Sequence, residues 1–152
     1  MACTDSAITT IVQAGLSVGQ LVYLSASLTY TPAIATSLAT SQVVGMIVAV
    51  APGVNTFILQ SSGYNVGALN TDDIGGPIQA SKVYYLSTTV AGKVSLINPT
   101  STGLISKPVY ISEQVFGTTG VDAGYILPQR PFDFSSVKGY ANAFAMALLF
   151  GR

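Results

Sequence analysis

Charge is what this sequence lacks most. Asp, Glu, Lys and Arg make up 8% of the 152 residues, against about 25% in typical soluble domains. No charged residue lies between Asp5 and Asp72. A soluble monomer normally covers its surface with charges of both signs. A half-chain without charge therefore indicates that another surface covers much of this one, and we infer a subunit of an assembly.

Histidine and tryptophan are absent, and Cys3 is the single cysteine. One cysteine cannot form an internal disulfide, and zinc would need a histidine or a second cysteine beside it. Residues 15–19 match the G-x-S-x-G pattern of hydrolases, but Ser17 has no histidine to accept its proton. Ser135 and Lys138 match S-x-x-K, for which a solvated turn is the preferred interpretation. We expect no catalytic residue and no cofactor.

Two pairs of carboxylates are candidate sites. Asp72 and Asp73 are consecutive, which favours turn formation over calcium binding. Glu113 and Asp122 are the acidic pair that a hairpin could bring together for glycoside hydrolysis. The preferred interpretation is that both are exposed charges flanking a turn. The sequence therefore predicts no metal site and no enzyme.

Long apolar runs are also missing. The best of them, Val43 to Val50, ends at Pro52, whereas a membrane-spanning helix needs about 20 apolar residues. The first ten residues lack the basic and apolar regions of a secretory signal. The formal net charge is zero, without the basic cluster that nucleic-acid binding requires. We expect no membrane and no nucleic-acid partner, and folding in the cytosol.

What the sequence does contain is a β-strand pattern that occurs twice. The stretch from Gln79 to Ser112 has β-branched and aromatic runs separated by Ala91-Gly92 and by Pro99 to Gly103, which is typical of a β-meander. An earlier part of the chain follows the same plan. The matching segments are 21–25 with 83–87, 43–50 with 107–112, and 56–60 with 124–129.

The repeat predicts an all-β fold of two small β-barrel or β-sandwich lobes with terminal extensions. The expected division is an N-terminal arm over 1–13, a first β-lobe over 14–76, a second β-lobe over 77–131 and a C-terminal docking segment over 132–152. Within the arm, residues 8–12 could pair at a sheet edge. The expected core is Leu21, Tyr23, Val44, Met46, Val48, Phe57 and Leu59 in the first lobe, and Val83, Tyr85, Val94, Leu96, Val109, Ile111 and Ile126 in the second.

The C-terminal segment has no counterpart in the first copy. Its large residues alternate with alanines between Tyr140 and Phe150, which favours a strand with one bulky face, although Ala, Met and Leu also suit a short helix. A free segment of this kind would be an aggregation hazard. We therefore predict a docking or inter-subunit element, with a final core strand as the alternative. The candidate interface residues are Phe134, Tyr140, Phe144, Met146, Leu148 and Phe150.

A family resemblance covers residues 11–131. The stretches AGLSVGQLVYLS, YYLSTTVAGKVSLINPTSTGLISKPVYIS and GYILPQRP resemble the small β-modules of tailed-bacteriophage virion proteins. That group includes capsid decoration or cement proteins, head fibres and some tail appendages. The segment from Asp133 to Arg152 departs from the resemblance.

The resemblance implies a non-enzymatic capsid decoration protein that binds the assembled icosahedral shell and stabilises contacts between capsomers. Its partners would be the major capsid protein and other copies of itself, most simply as a homotrimer. It would be assembled in the host cytoplasm and located on the capsid surface of the virion. The alternative is a tail or fibre component that attaches to the host surface.

Overall fold

The computed structural model describes residues 8–67, 69–116 and 121–127, and these residues confirm the predicted all-β class. No α-helix occurs among them, and none of their segments is a helix able to cross a membrane. A short 3-10 turn, Pro52–Val54, follows the fourth strand. The strands are β1 (Ile8–Val12), β2 (Leu21–Leu24), β3 (Tyr30–Pro32), β4 (Val43–Ala51), β5 (Thr56–Gln60), β6 (Gly63–Val66), β7 (Val83–Leu86), β8 (Val94–Ser95), β9 (Pro108–Phe116) and β10 (Val121–Ile126).

The strands form two antiparallel sheets of five strands each, in the orders β1-β5-β4-β2-β3 and β6-β10-β9-β7-β8. Both sheets therefore place their first, fifth, fourth, second and third strands side by side. We call β1–β5 the first unit and β6–β10 the second unit. The shared topology is what an internal repeat predicts. Each sheet keeps two edge strands, so neither closes into a barrel.

The hydrogen-bond register repeats as well. The pairing of β2 with β4 shifts between Val22 and Tyr23, and the pairing of β7 with β9 shifts between Tyr84 and Tyr85. A second irregularity interrupts β4 against β5 and β9 against β10. Residues that lie at the same distance from these bulges occupy equivalent positions in the two units. The equivalent positions are Leu21 and Val83, Val22 and Tyr84, Gly45 and Tyr110, Met46 and Ile111, Phe57 and Asp122, Leu59 and Gly124, and Gln60 and Tyr125.

This register corrects one of the predicted matches. Because Gln60 is equivalent to Tyr125, residues 56–60 correspond to 121–125, and the predicted match with 124–129 is wrong. The predicted match followed from the similar residues of Phe57-Ile58-Leu59 and Tyr125-Ile126-Leu127. The β-bulges, however, determine which residues pair across the strands. In addition, β6 lies inside the predicted first lobe, yet it pairs with β10 in the second sheet.

One hydrophobic core joins the two sheets. The first unit contributes Leu21, Val43 and Met46, among others, and the second contributes Tyr84, Leu86, Val94, Val109, Tyr110 and Ile126. A smaller cluster of Val22, Ile47, Phe57 and Leu59 lies on the other face of the first sheet. The sheets therefore pack against each other, and the first sheet is apolar on both faces.

The two units contribute opposite faces to the shared core. Successive side chains of a strand point to opposite sides of its sheet. In the first unit the face with Leu21 and Met46 packs inward. In the second unit the equivalent face, which carries Val83 and Ile111, is exposed, and the face with Tyr84 packs inward. The same face is thus buried in the first unit and exposed in the second.

This difference explains where the predicted core is wrong. Val83 and Ile111 are exposed at 37% and 39%, because the second unit buries the other face of its sheet. The prediction that they are buried assumed the alternation of the first unit. The remaining predictions are confirmed fully or in part. Leu21, Met46, Phe57, Leu59, Val94, Val109 and Ile126 are buried, and Tyr23, Val44, Val48, Tyr85 and Leu96 are partly buried.

Backbone hydrogen bonds also connect the units near Gly92. The Leu21 N–H donates to the Gly92 carbonyl at 2.8 Å, and the Gly92 N–H donates to the Ala33 carbonyl at 2.6 Å. Gly92 has a φ of +80°, and a Cβ there would lie 3.2 Å from the side chains of Gln20 and Pro32. The close approach of the two units at this point therefore requires glycine.

Candidate functional site

The side chains predicted to form an interface lie outside the described residues. They are Phe134, Tyr140, Phe144, Met146, Leu148 and Phe150. Their role in docking, and the choice between strand and helix, stay predictions.

The first carboxylate pair forms a turn, as predicted. Asp72 accepts the Ile74 N–H at 3.0 Å and the Ser87 hydroxyl at 2.6 Å. Asp73 accepts the Thr71 hydroxyl at 3.1 Å. These contacts shape the loop between β6 and β7. Across residues 8–67, 69–116 and 121–127, no group of three or more Cys, Asp or Glu side chains is placed to hold a metal ion.

The second carboxylate pair is not brought together. Glu113 is exposed, whereas Asp122 is 1% exposed and contacts the buried Tyr110. The burial alternates from Tyr110 to Glu113, so the glutamate lies on the opposite face of the sheet from that tyrosine. The interpretation of Asp122 as an exposed charge flanking a turn is wrong. The predicted match of residues 56–60 with 124–129 concealed this burial, because the observed register makes Asp122 equivalent to the buried Phe57.

Three hydrogen bonds hold Asp122 within the second unit. One carboxylate oxygen accepts the hydroxyl of Tyr110, and the other accepts the Leu69 N–H at 3.3 Å. The Asp122 carbonyl accepts the Gly67 N–H at 2.8 Å. Nearby, the Tyr84 hydroxyl accepts the Gln79 N–H at 2.8 Å. The arrangement fastens the segment after β6 onto the inner face of the sheet, which gives the buried carboxylate a structural role.

Burial sets the ionisation of the two tyrosines in this group. Desolvation raises the pKa of Tyr110 strongly above its ordinary value of 10.0, and the hydrogen bond to Asp122 raises it further. Desolvation also raises the pKa of Tyr84, against a smaller lowering by the Gln79 N–H. Both hydroxyls therefore keep their protons in the folded protein at a pH where an unfolded chain would lose them.

Replacing Tyr110 with phenylalanine is expected to cost about 1.5–3 kcal/mol of unfolding free energy near neutral pH, because a buried carboxylate loses its hydroxyl donor. A pH effect should accompany this loss. The raised pKa leaves stability intact below about pH 10, and stability falls as the pH rises above it, since only the unfolded state releases the proton. Urea denaturation between neutral and alkaline pH measures both effects.

The alkaline slope should be shallower in Tyr110→Phe than in the wild type. Tyr84 remains in the variant and keeps part of the slope. Lys107 acts in the opposite direction in both proteins, because burial lowers its pKa from 10.5 and its penalty disappears as the pH rises. An unchanged slope in the variant would show that Tyr110 does not carry the effect.

The most distinctive surface of the described residues is a row of apolar side chains across the outer face of the second sheet. We call it the outer row, and it consists of Tyr64, Tyr125, Ile111 and Val83. Each is the direct cross-strand neighbour of the next, on β6, β10, β9 and β7. Their exposed fractions are between 37% and 48%.

The outer row is geometrically ordered. The rings of Tyr64 and Tyr125 meet edge to face with centroids 5.3 Å apart. Four neighbouring strands at the usual spacing give the row a length of roughly 14 Å. Such a patch, with tyrosines at one end, has the composition of a protein contact surface. The sequence indicated strands at Val83, Ile111 and Tyr125 but not at Tyr64, which lies on β6. The prediction also placed Val83 and Ile111 in the core, so it did not contain the row.

Comparison with known proteins adds no family to these observations. No protein-family model matches the chain, and no curated protein matches it.

Proposed function

We propose that this chain is a non-enzymatic structural protein of a tailed-phage virion, a capsid decoration protein that binds the assembled shell and stabilises contacts between capsomers. Its partners in this proposal are the major capsid protein and further copies of itself, as a homotrimer on the capsid surface. The proposal builds on the sequence resemblance and on one structural observation, which is the charge-poor surface of a folded β-protein that exposes large apolar side chains.

The surface supports the proposal through what it offers to a partner. Large apolar side chains remain exposed on both units, among them Val12, Leu28 and Val66 besides the outer row. The first unit, from β1 to the end of β5, contains no charged residue at all. Apolar surface of this kind is stabilised when another protein covers it. A role based on contact fits this chain better than a role based on chemistry.

The buried polar groups support the same conclusion. Asp122, Tyr110 and Ser112 are satisfied inside the second unit, where they hold loops in place. Ser112, for example, fastens the loop that precedes β7, because it donates to the Gln79 carbonyl and accepts the Lys82 N–H. These contacts make a rigid scaffold for an outer surface.

Virions assembled without the protein provide the test. They are expected to adsorb and infect, but their heads should release DNA at a lower temperature than wild-type heads, because a protein that binds only the intact shell stabilises it. Adding the purified chain back to these virions should restore the release temperature, and this add-back serves as the matched control.

The opposite pattern would contradict the proposal. Heads of unchanged stability combined with failed adsorption would support the tail or fibre function instead. Heads of unchanged stability with normal adsorption would contradict both functions.

A further inference from the structure

We propose that the outer row is the surface on which a second copy of this chain packs. The inference deepens the proposed function and depends on its self-association, not on its binding to a shell. It starts from the internal repeat, because the chain itself shows how this fold uses the face in question.

The equivalent row of the first unit is already a contact surface. Leu21, Met46 and Gln60 are direct cross-strand neighbours on β2, β4 and β5, and they are exposed at 0%, 0% and 2%. Leu21 and Met46 lie in the core shared with the second unit. In the first unit this face is thus covered by another unit of the same fold.

The second unit presents the same face without a partner unit among the residues that the structure describes. Val83, Ile111 and Tyr125 take the places of Leu21, Met46 and Gln60. These three side chains are large, although each is more than one third exposed. Since residues 8–67, 69–116 and 121–127 form two units, the further unit in this inference comes from a second copy.

The composition of the outer row is compatible with a second copy of the chain as its partner. The row has no charged member, and the formal net charge of the chain is zero, so copies do not repel one another at long range. Tyrosine is enriched where proteins bind each other. The edge-to-face contact between Tyr64 and Tyr125 restrains both rings before binding, which reduces the entropy that association costs.

A charge placed in the middle of the row tests the inference on the purified full-length chain. Wild-type protein is expected to sediment as an oligomer, and Ile111→Lys as a monomer with self-association at least about 100-fold weaker, because the lysine would be buried without a partner. Val54→Lys is the matched control, since Val54 is exposed at 65% outside the row, and it should associate like the wild type. Association should also persist at 1 M NaCl, because it depends on apolar burial.

A thiol introduced into the row identifies what covers it. In Tyr125→Cys, made in a Cys3→Ser background, reaction with a thiol reagent should slow as the protein concentration rises. Slow reaction at every concentration would mean that a segment of the same chain covers the row, and fast reaction at every concentration would mean that nothing does. Either result overturns the inference, as does an oligomer that survives Ile111→Lys or a wild-type protein that is monomeric.

Binding to empty shells, measured by co-sedimentation, separates this inference from the proposed function. A monomeric wild-type chain that binds shells would overturn the inference and leave the decoration function standing. An oligomer that forms through the outer row but does not bind shells would support the inference and contradict the decoration function.

Discussion

Replacing Gly124 with alanine is expected to destabilise the protein by about 3 kcal/mol or more, at the upper end of what overpacking costs. Gly124 lies in β10 between β6 and β9. A Cβ at this position would lie 2.2 Å from the Ile111 carbonyl oxygen and 2.9 Å from the Ser112 Cα. Both contacts are with backbone, so the clash can be relieved only if β9 and β10 move apart.

Urea denaturation of the variant gives the measurement, and Gly53→Ala provides the control. Gly53 has no atom within 4 Å of its would-be Cβ, so this change should alter the unfolding free energy by no more than about 0.5 kcal/mol. Equal stability of the Gly124→Ala protein and the wild type would show that β9 and β10 are not packed as closely as described.

Gly124 also illustrates how the two units diverged. In the first unit its equivalent is Leu59, which packs beside Gly45, where an added Cβ would lie 3.0 Å from the leucine side chain. In the second unit the large residue is Tyr110 and the small one is Gly124. The pair has exchanged its large and small members, which keeps the filled volume similar. The exchange explains why the repeat is conspicuous in topology and weak in residue identity.

The sequence was sufficient to predict the repetition and most of the strands, although β3 was not predicted. Leu21–Leu24 and Val83–Leu86 share β-branched and aromatic residues and are followed by turns, and such local signals depend on neighbours along the chain. The all-β fold class follows from these local signals, since they predict short strands in both halves of the chain. The strand at Ile8–Val12 was likewise expected at a sheet edge, and it pairs there with β5.

The sequence was not sufficient to predict which face of the second sheet is buried. Val83-Tyr84-Tyr85-Leu86 is apolar at every position, so alternation does not distinguish its two faces. The choice depends on contacts with the first unit, which are distant in sequence. The buried Asp122 was not predicted for a related reason, because its hydroxyl donor Tyr110 and its N–H donor Leu69 become its neighbours only after β10 has paired with β9 and β6.

Truncating Met46 to alanine is expected to cost about 2–5 kcal/mol and to weaken both sheets together. Met46 is fully buried in the cluster that contains side chains of both units. A cavity at this position removes contacts from the first sheet and from the inner face of the second. The two units should therefore lose stability as one cooperative body.

Amide hydrogen exchange measures this coupling strand by strand. In Met46→Ala, protection should fall in β9 and β10 of the second unit as well as in β4 and β5 of the first, because opening of either sheet exposes the shared core. Val54→Ala is the matched control, since Val54 is exposed at 65% and its truncation should leave both sheets protected. Loss of protection confined to β4 and β5 would show that each unit is stable by itself and that the shared core contributes little to the second.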